Sequence, residues 1–437
     1  METNKQGLIV ALILFLVSGL VIFFYTNDSG KSGLKSPIDD IKVVLPIPTP
    51  GPDEKKIPDG QYATWFDMAK AYYRAYPENK GLDYLVTGLE MFDATGLQSY
   101  SLIFRDIITL GWKGHGNPYI NEYLQKNAMA FDAARSAAEY TPLVEMPPPD
   151  KKLRPHLDYY AYNMFIKSML IDARKKEADG DIDGATKQLI QTAKFASIWC
   201  SSPRHSSMDH AYGTDGINLV LQALPGFLRN TTLGPEQYKI LDSGFARIDK
   251  QYIPVKDTFQ NRVEMNIEIV TAVAKDPGLV QSLGNAIPAN VKAHLNVWTQ
   301  DTAEYARQAI LCWTDKYSEL RKPYRENPWQ QLDSTLTVIT QKYSLFSDET
   351  IHPEVADIVK DMGLITRLRL LQAYFLLKQN RKDEAADIID PFTGKPIIIT
   401  DQSIYSLGPD LIDQFGKVNY SGIRNNTCPE GDIVLSR

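Results

Sequence analysis

The sequence predicts a mainly α-helical protein with an N-terminal transmembrane helix, a Pro-rich stalk, a helical body and a small C-terminal cap that contains β-strands. Three observations carry that expectation. Residues 7–25 form an uncharged apolar run, apolar residues recur three and four apart over most of 61–380, and after Asp390 the pattern changes to short β-branched runs separated by Gly and Pro.

The apolar run comes first. Gly7 to Tyr25 reads GLIVALILFLVSGLVIFFY, nineteen positions without a charge. At about 1.5 Å rise per residue this length covers most of a bilayer's hydrocarbon core. A cleaved signal peptide and a buried first helix are the competing readings. The run is longer than a typical secretory apolar region, and the following TNDSG lacks a small-x-small cleavage pattern, so an uncleaved anchor over residues 1–25 is expected. Lys5 precedes the span, while Lys31, Lys35 and Lys42 follow it among Asp28, Asp39 and Asp40. Large domains cross membranes largely regardless of such charges, so a short cytoplasmic tail with the bulk outside is expected.

Residues 26–60 are rich in Pro, Gly, Ser and Lys, with Pro46, Pro48, Pro50 and Pro52 alternating in LPIPTPGP. Repeated fixing of φ and loss of backbone donors favours an extended spacer, a stalk. Residues 61–146 then read as a helical subdomain, interrupted by Pro147, Pro148, Pro149 and Pro155.

The body, 156–380, contains the plainest helix pair. Tyr162, Ile166, Met169, Leu170 and Ala173 share one helix face, EADGDIDG makes a turn, and Ile182, Ala185, Leu189, Ala193 and Ala196 form a second stripe. This hairpin resembles one tetratricopeptide-type unit, with Gly180, Asp181 and Ala185 where such turns favour them, but the roughly 34-residue period of an array does not recur. Further helices are expected over Pro235–Ala274, Ala289–Glu319 and Val355–Gln379, the last with Leu364, Leu368, Leu371 and Phe375 in register. In the cap, strands are expected at Ile397–Ile399, Tyr405–Leu407 and Asp432–Leu435.

Chain-wide composition narrows the chemistry. Of 437 residues, 43% are hydrophobic and 23% charged, the balance of a folded protein, and 47 basic against 53 acidic residues leave a net charge of -6 without basic clusters, which argues against nucleic acid. Cys200, Cys312 and Cys428 are widely spaced, with neither a C-x-x-C pair nor a disulfide framework. Asp179-Gly180-Asp181-Ile182-Asp183-Gly184 matches the first half of an EF-hand loop, but Ile190 stands where the bidentate glutamate belongs, so Asp181 or Asp183 is expected to cap a helix instead. Ser201 to Gly216, SSPRHSSMDHAYGTDG, gathers His205, Asp209, His210 and Asp215, residue types able to ligate metal or move protons. It meets no known catalytic spacing, and a polar loop between helices is the expectation; an envelope hydrolase using residues 201–216 is the rival functional reading. Tyr159, Tyr160, Tyr162, Trp298 and Trp313 read as packing residues.

The cap carries a resemblance. Asp390-Pro391-Phe392-Thr393-Gly394-Lys395-Pro396, Tyr405-Ser406-Leu407-Gly408-Pro409-Asp410 and Gly431-Asp432-Ile433-Val434 occur in the order seen at the C-terminus of type II secretion major pseudopilins, and this ending resembles that region. The chain as a whole is similar to uncharacterised bacterial single-pass membrane proteins with helical middles. The pseudopilin likeness covers residues 390–437 and implies calcium held by Asp410 and Asp432, with Asp413 a further candidate from proximity. Gly7-Leu8-Ile9 is followed by no glutamate of the G-F-T-L-x-E pilin leader, so assembly as a pilin is not implied. The combined expectation is a membrane-anchored envelope protein with unidentified protein partners, acting as a non-enzymatic scaffold or binding component linked to secretion or pilus-like assemblies.

Overall fold

The computed structural model describes residues 63–95, 101–140, 157–201, 207–259, 302–320, 322, 329–343, 353–409, 411–415 and 432–436. The expected anchor at 7–25 and the expected stalk at 26–60 lie outside the described residues. Among those described, no helix is long and apolar enough to cross a membrane. The protein is mainly helical, with a small three-stranded sheet.

Two compact units result. The larger holds the described residues up to Thr258 and from Ala356 onward; the smaller falls within 259–355. In the larger unit, helices α1 (Trp65–Ala75), α2 (Lys80–Met91), α3 (Ser101–Leu110), α4 (Pro118–Lys126) and α5 (Ala128–Glu139) supply the helices expected over 61–146 and share one core with the helices that follow. Thr64 starts α1 with a reciprocal capping box: its hydroxyl accepts the Asp67 N–H and the Asp67 carboxylate accepts the Thr64 N–H, both at 3.1 Å. Helix α2 buries Leu82, Leu85, Val86 and Leu89, a helical stripe, against α5. Buried Ala130, Ala134, Ala137 and Ala138 give α5 the small face that lets the two backbones close up.

Helices α6 (Tyr159–Ala178) and α7 (Ile182–Ser197) form the expected hairpin. Gly180 sits at φ 85°, a left-handed position that costs glycine little, and Asp181 N–H reaches back to Lys176 carbonyl at 2.9 Å, closing the last turn of α6. Asp181 then caps α7 by accepting the Gly184 N–H at 2.9 Å. Helix α7 packs on α5, α6, α8 (Ser207–Asn230) and α9 (Pro235–Gln251), so it is buried on most of its faces, small polar residues Thr186, Thr192 and Ser197 included, and runs through the core.

Helix α9 ends at Gln251, not near Ala274, because Ile253 precedes Pro254 and is pushed out of helical conformation; a 3₁₀ turn, Val255–Thr258, follows. Residues 260–274 lie outside the described residues. Helix α12 (Pro353–Lys378) matches its expected span and lays Leu364, Leu368, Leu371 and Phe375 into the core. Its Phe375 stacks on Phe245 of α9, and Arg369 binds Asp249 at 3.2 Å. At its end the α6–α7 turn is repeated: Asn380 at φ 62°, Arg381 N–H to Leu376 carbonyl at 2.9 Å, and a short helix α13 (Lys382–Ala386) whose Ala385 is buried like Ala185.

The cap is an antiparallel sheet in the order β1 (Ile398–Ile399), β2 (Ser403–Ser406), β3 (Ile433–Ser436), with Ile398 opposite Tyr405 and Tyr405 opposite Val434. In the Asp390–Lys395 turn, the buried Asp390 carboxylate accepts the Phe392 N–H and the Thr393 hydroxyl at 3.0 and 3.2 Å. Arg369 donates to the Ile389 carbonyl at 2.9 Å, tying the cap to α12.

In the smaller unit, α10 (Thr302–Leu320) pairs with α11 (Trp329–Gln341). Residues 289–301, expected in the same helix as α10, lie outside the described residues. The Tyr343 hydroxyl donates to Asp315 at 2.7 Å across this pair.

Candidate functional site

The segment 201–216 is not a loop throughout. From Ser207 it is the first part of α8, and its side chains point several ways. His205 lies outside the described residues. Asp215 faces out and accepts the hydroxyl of partly exposed Tyr159, whose phenol is pushed up by burial and by that carboxylate. Of the three tyrosines expected to pack, only Tyr162 is buried; Tyr160 is exposed. Trp298 is outside the described residues and Trp313 is half-buried.

His210 turns inward and is 2% exposed. Its Nε2 lies 2.9 Å from the Ile253 carbonyl, which can only accept, so Nε2 carries a proton. The same nitrogen is 3.5 Å from Asp361 Oδ1 on α12. Tyr252 donates its hydroxyl to Asp361 Oδ1, and the Val255 N–H donates to Oδ2 at 3.1 Å. The Ile253 N–H donates to the Cys200 carbonyl at 2.8 Å. The residues 252–255 are therefore stitched to three elements at once: the 3₁₀ turn Ile198–Cys200 that ends α7, the start of α8, and α12.

A cysteine, a histidine and an aspartate in one place suggest nucleophilic catalysis, and the geometry argues otherwise. Cys200 is wholly buried, and burial, followed by the Asp361 charge, pushes its thiol well up, the reverse of an activated thiolate. His210 spends its Nε2 proton on a backbone carbonyl. Burial raises the Asp361 carboxyl to about 7, with the Tyr252 and Val255 hydrogen bonds pulling the other way. The cluster joins helices in the core. Asp361 was not singled out from the sequence, and Cys200 only as one of three widely spaced cysteines: Asp361 stands beside Lys360 and one turn after Asp357, and nothing local links it to His210.

A second buried charge lies where α6 meets α3. Arg174 is 0% exposed; its Nε donates to the Ile107 carbonyl at 3.3 Å near the C-terminus of α3, and its Nη1 lies 2.6 Å from Glu177 Oε2. That close contact is misaligned for hydrogen bonding. Burial lowers the Arg174 pKa and raises that of Glu177, so desolvation outweighs attraction on both sides of the pair.

In the cap, Asp410 lies outside the described residues. Exposed Asp413 accepts the Phe415 N–H at 2.7 Å and the Tyr405 hydroxyl at 3.3 Å. Buried Asp432 precedes β3 and accepts the Gln414 N–H at 3.5 Å. The two carboxylates thus flank the same short segment, each occupied with a backbone donor. Among the described residues, no three His, Cys, Asp or Glu side chains converge to hold a metal ion. The Asp179–Gly184 run forms the α6–α7 turn, as its capping chemistry requires. Cys200 and Cys312 are free thiols, both buried.

No protein-family model, no curated protein and no solved structure matches this chain.

Proposed function

We propose that this protein is a membrane-anchored, non-enzymatic scaffold or binding component of the bacterial envelope, tethered through residues 7–25 with its helical body on the periplasmic side. The observation that carries the reading is the fate of His210: the acid–base residue of the most chemically crowded segment is buried and bonded to a backbone carbonyl, where it ties helices together. The apolar run and the Pro-rich spacer support the tether. The recurrence of one helical turn at Gly180 and Asn380 supports a partly tetratricopeptide-like body.

The cap's resemblance to pseudopilin C-termini links the protein to secretion or pilus-like assemblies and gives calcium as the ion of the cap, with Asp410, Asp413 and Asp432 as its carboxylates. Support comes from Asp413 and Asp432 flanking one segment, both carrying the carboxylate oxygens that a hard cation takes as ligands.

The test is mild-detergent purification of the tagged full-length protein from its native membrane, with mass spectrometry against an untagged control. Enrichment of pseudopilins, a secretin or an assembly ATPase is expected. Recovery from the soluble fraction overturns the tether, and absence of all secretion components overturns the link to secretion.

A further inference from the structure

Tyr252, Ile253 and Val255 lie just before Thr258, where the chain leaves the larger unit, and Asp361 lies just after Ala356, where it returns. Four hydrogen-bonded contacts gather at this crossing: Tyr252 hydroxyl to Asp361, Val255 N–H to Asp361, His210 Nε2 to the Ile253 carbonyl, and Ile253 N–H to the Cys200 carbonyl. Thr258 adds a local tie, its hydroxyl donating to the Val255 carbonyl at 2.7 Å. We infer that the Tyr252–Asp361–His210 cluster is a proton-operated latch, which holds the outgoing and returning chain together when Asp361 carries a proton and loosens when that proton is lost.

The argument is one of charge in a closed space. Asp361 and His210 are each 2% exposed, so water does not screen them. With a proton on Asp361 besides the one bound at His210 Nε2, the cluster is neutral overall. Losing it leaves a net negative charge. Among the described residues, the groups facing Asp361 are Cys200 from the 3₁₀ turn, His210 from α8, Tyr252 and Asp257 from the outgoing chain, and Asp357 from α12 itself. Burial first, and then the charges of Asp257 and Asp357, oppose ionisation of Asp361 against the Tyr252 and Val255 hydrogen bonds that favour it, so the balance lies with the protonated carboxyl. An opened latch exposes Asp361 to water and returns it toward its ordinary value of 3.8. Opening is then linked to proton release, and becomes easier as pH rises through neutrality.

Hydrogen exchange on the full-length protein tests this, comparing peptides that contain Ile253 and Val255 with peptides from α7 after correction for intrinsic exchange. The expected result is an about tenfold loss of protection at 252–258 between pH 6 and 8, with α7 unchanged. Asp361→Asn should flatten the response. Should that variant fail to fold, Tyr252→Phe serves: removing a donor to the carboxylate should move the midpoint to higher pH. A flat wild-type response, a parallel loss in α7, a response that persists in Asp361→Asn, or an unmoved midpoint in Tyr252→Phe overturns the latch.

Discussion

Tyr252 donates its hydroxyl to Asp361 across 109 positions of sequence, and both groups are buried. Asp361 also receives the Val255 N–H, so a single carboxylate satisfies two buried donors from one turn. Removing it strands both, because a buried donor without a partner bears its full desolvation cost. Asp361→Ala is expected to lower unfolding stability by about 2–4 kcal/mol, and Tyr252→Phe by about 1 kcal/mol, in urea titrations at pH 7. Equal, small losses would show that the carboxylate is not the hub of the cluster.

The same carboxylate gives stability a pH dependence of known sign. Its folded value, about 7, lies above the unfolded 3.8, so the folded state holds the proton more tightly. The contribution is complete below about 3.8 and is lost as pH rises through about 7. Between pH 6 and 8 the stability of the wild type relative to Asp361→Asn should fall by about 1.4 kcal/mol, read from paired urea midpoints. A difference that grows over this window contradicts the assignment.

Arg174 and Glu177 predict an asymmetry. Desolvation dominates both groups, so the pair costs nearly as much as it returns, yet either half alone is a buried charge without compensation. Glu177→Gln should destabilise by about 3 kcal/mol, and combining it with Arg174→Met should recover most of that loss. Thermal or chemical unfolding of the single and double variants decides the matter; additive losses would mean that the pair is stabilising.

Helices with a continuous apolar stripe were legible from the sequence. The α6–α7 hairpin, α12 and the three cap strands are expected and present because local period and turn chemistry agree with burial there. The start of α8 was hidden. SSPRHSSMDHAYGTDG is rich in residues that favour turns, and contacts from elsewhere in the chain support the helix from Ser207: His210 to Ile253, Tyr212 hydroxyl to the Leu157 carbonyl at 2.9 Å, and Ile217 in the core. The buried cluster was hidden for a related reason. Its members come from four elements, and Asp361, one of three acidic residues of α12, has partners that lie far away in sequence.

Gly213 tests how tightly α8 is pressed to the end of α7. A Cβ there would lie 2.7 Å from Cys200 Sγ and 3.1 Å from both the Ala196 carbonyl oxygen and the Cys200 nitrogen, two of them backbone atoms that cannot move aside alone. Although alanine is the better helix former, Gly213→Ala should destabilise by about 1–3 kcal/mol. Alkylation of Cys200 should quicken in parallel, since the thiol is shielded by this contact. A stabilised variant would mean that the two helices part easily.

Calcium is tested in the cap by melting the full-length protein with millimolar calcium and with chelator. A ligand that binds the folded state at a hundredfold excess over its Kd adds about 2.7 kcal/mol. Asp413 and Asp432 already accept N–H groups from Phe415 and Gln414, and a cation between them must compete with those donors or share the oxygens' remaining lone pairs. Binding therefore depends on a third carboxylate, and Asp410 is the one the pseudopilin likeness supplies. The expected result is a rise in melting temperature with calcium that Asp410→Ala abolishes. An unchanged melting temperature removes calcium from the cap and leaves Asp413 and Asp432 as turn-forming residues, whereas a shift that survives Asp410→Ala moves the ion to another part of the protein.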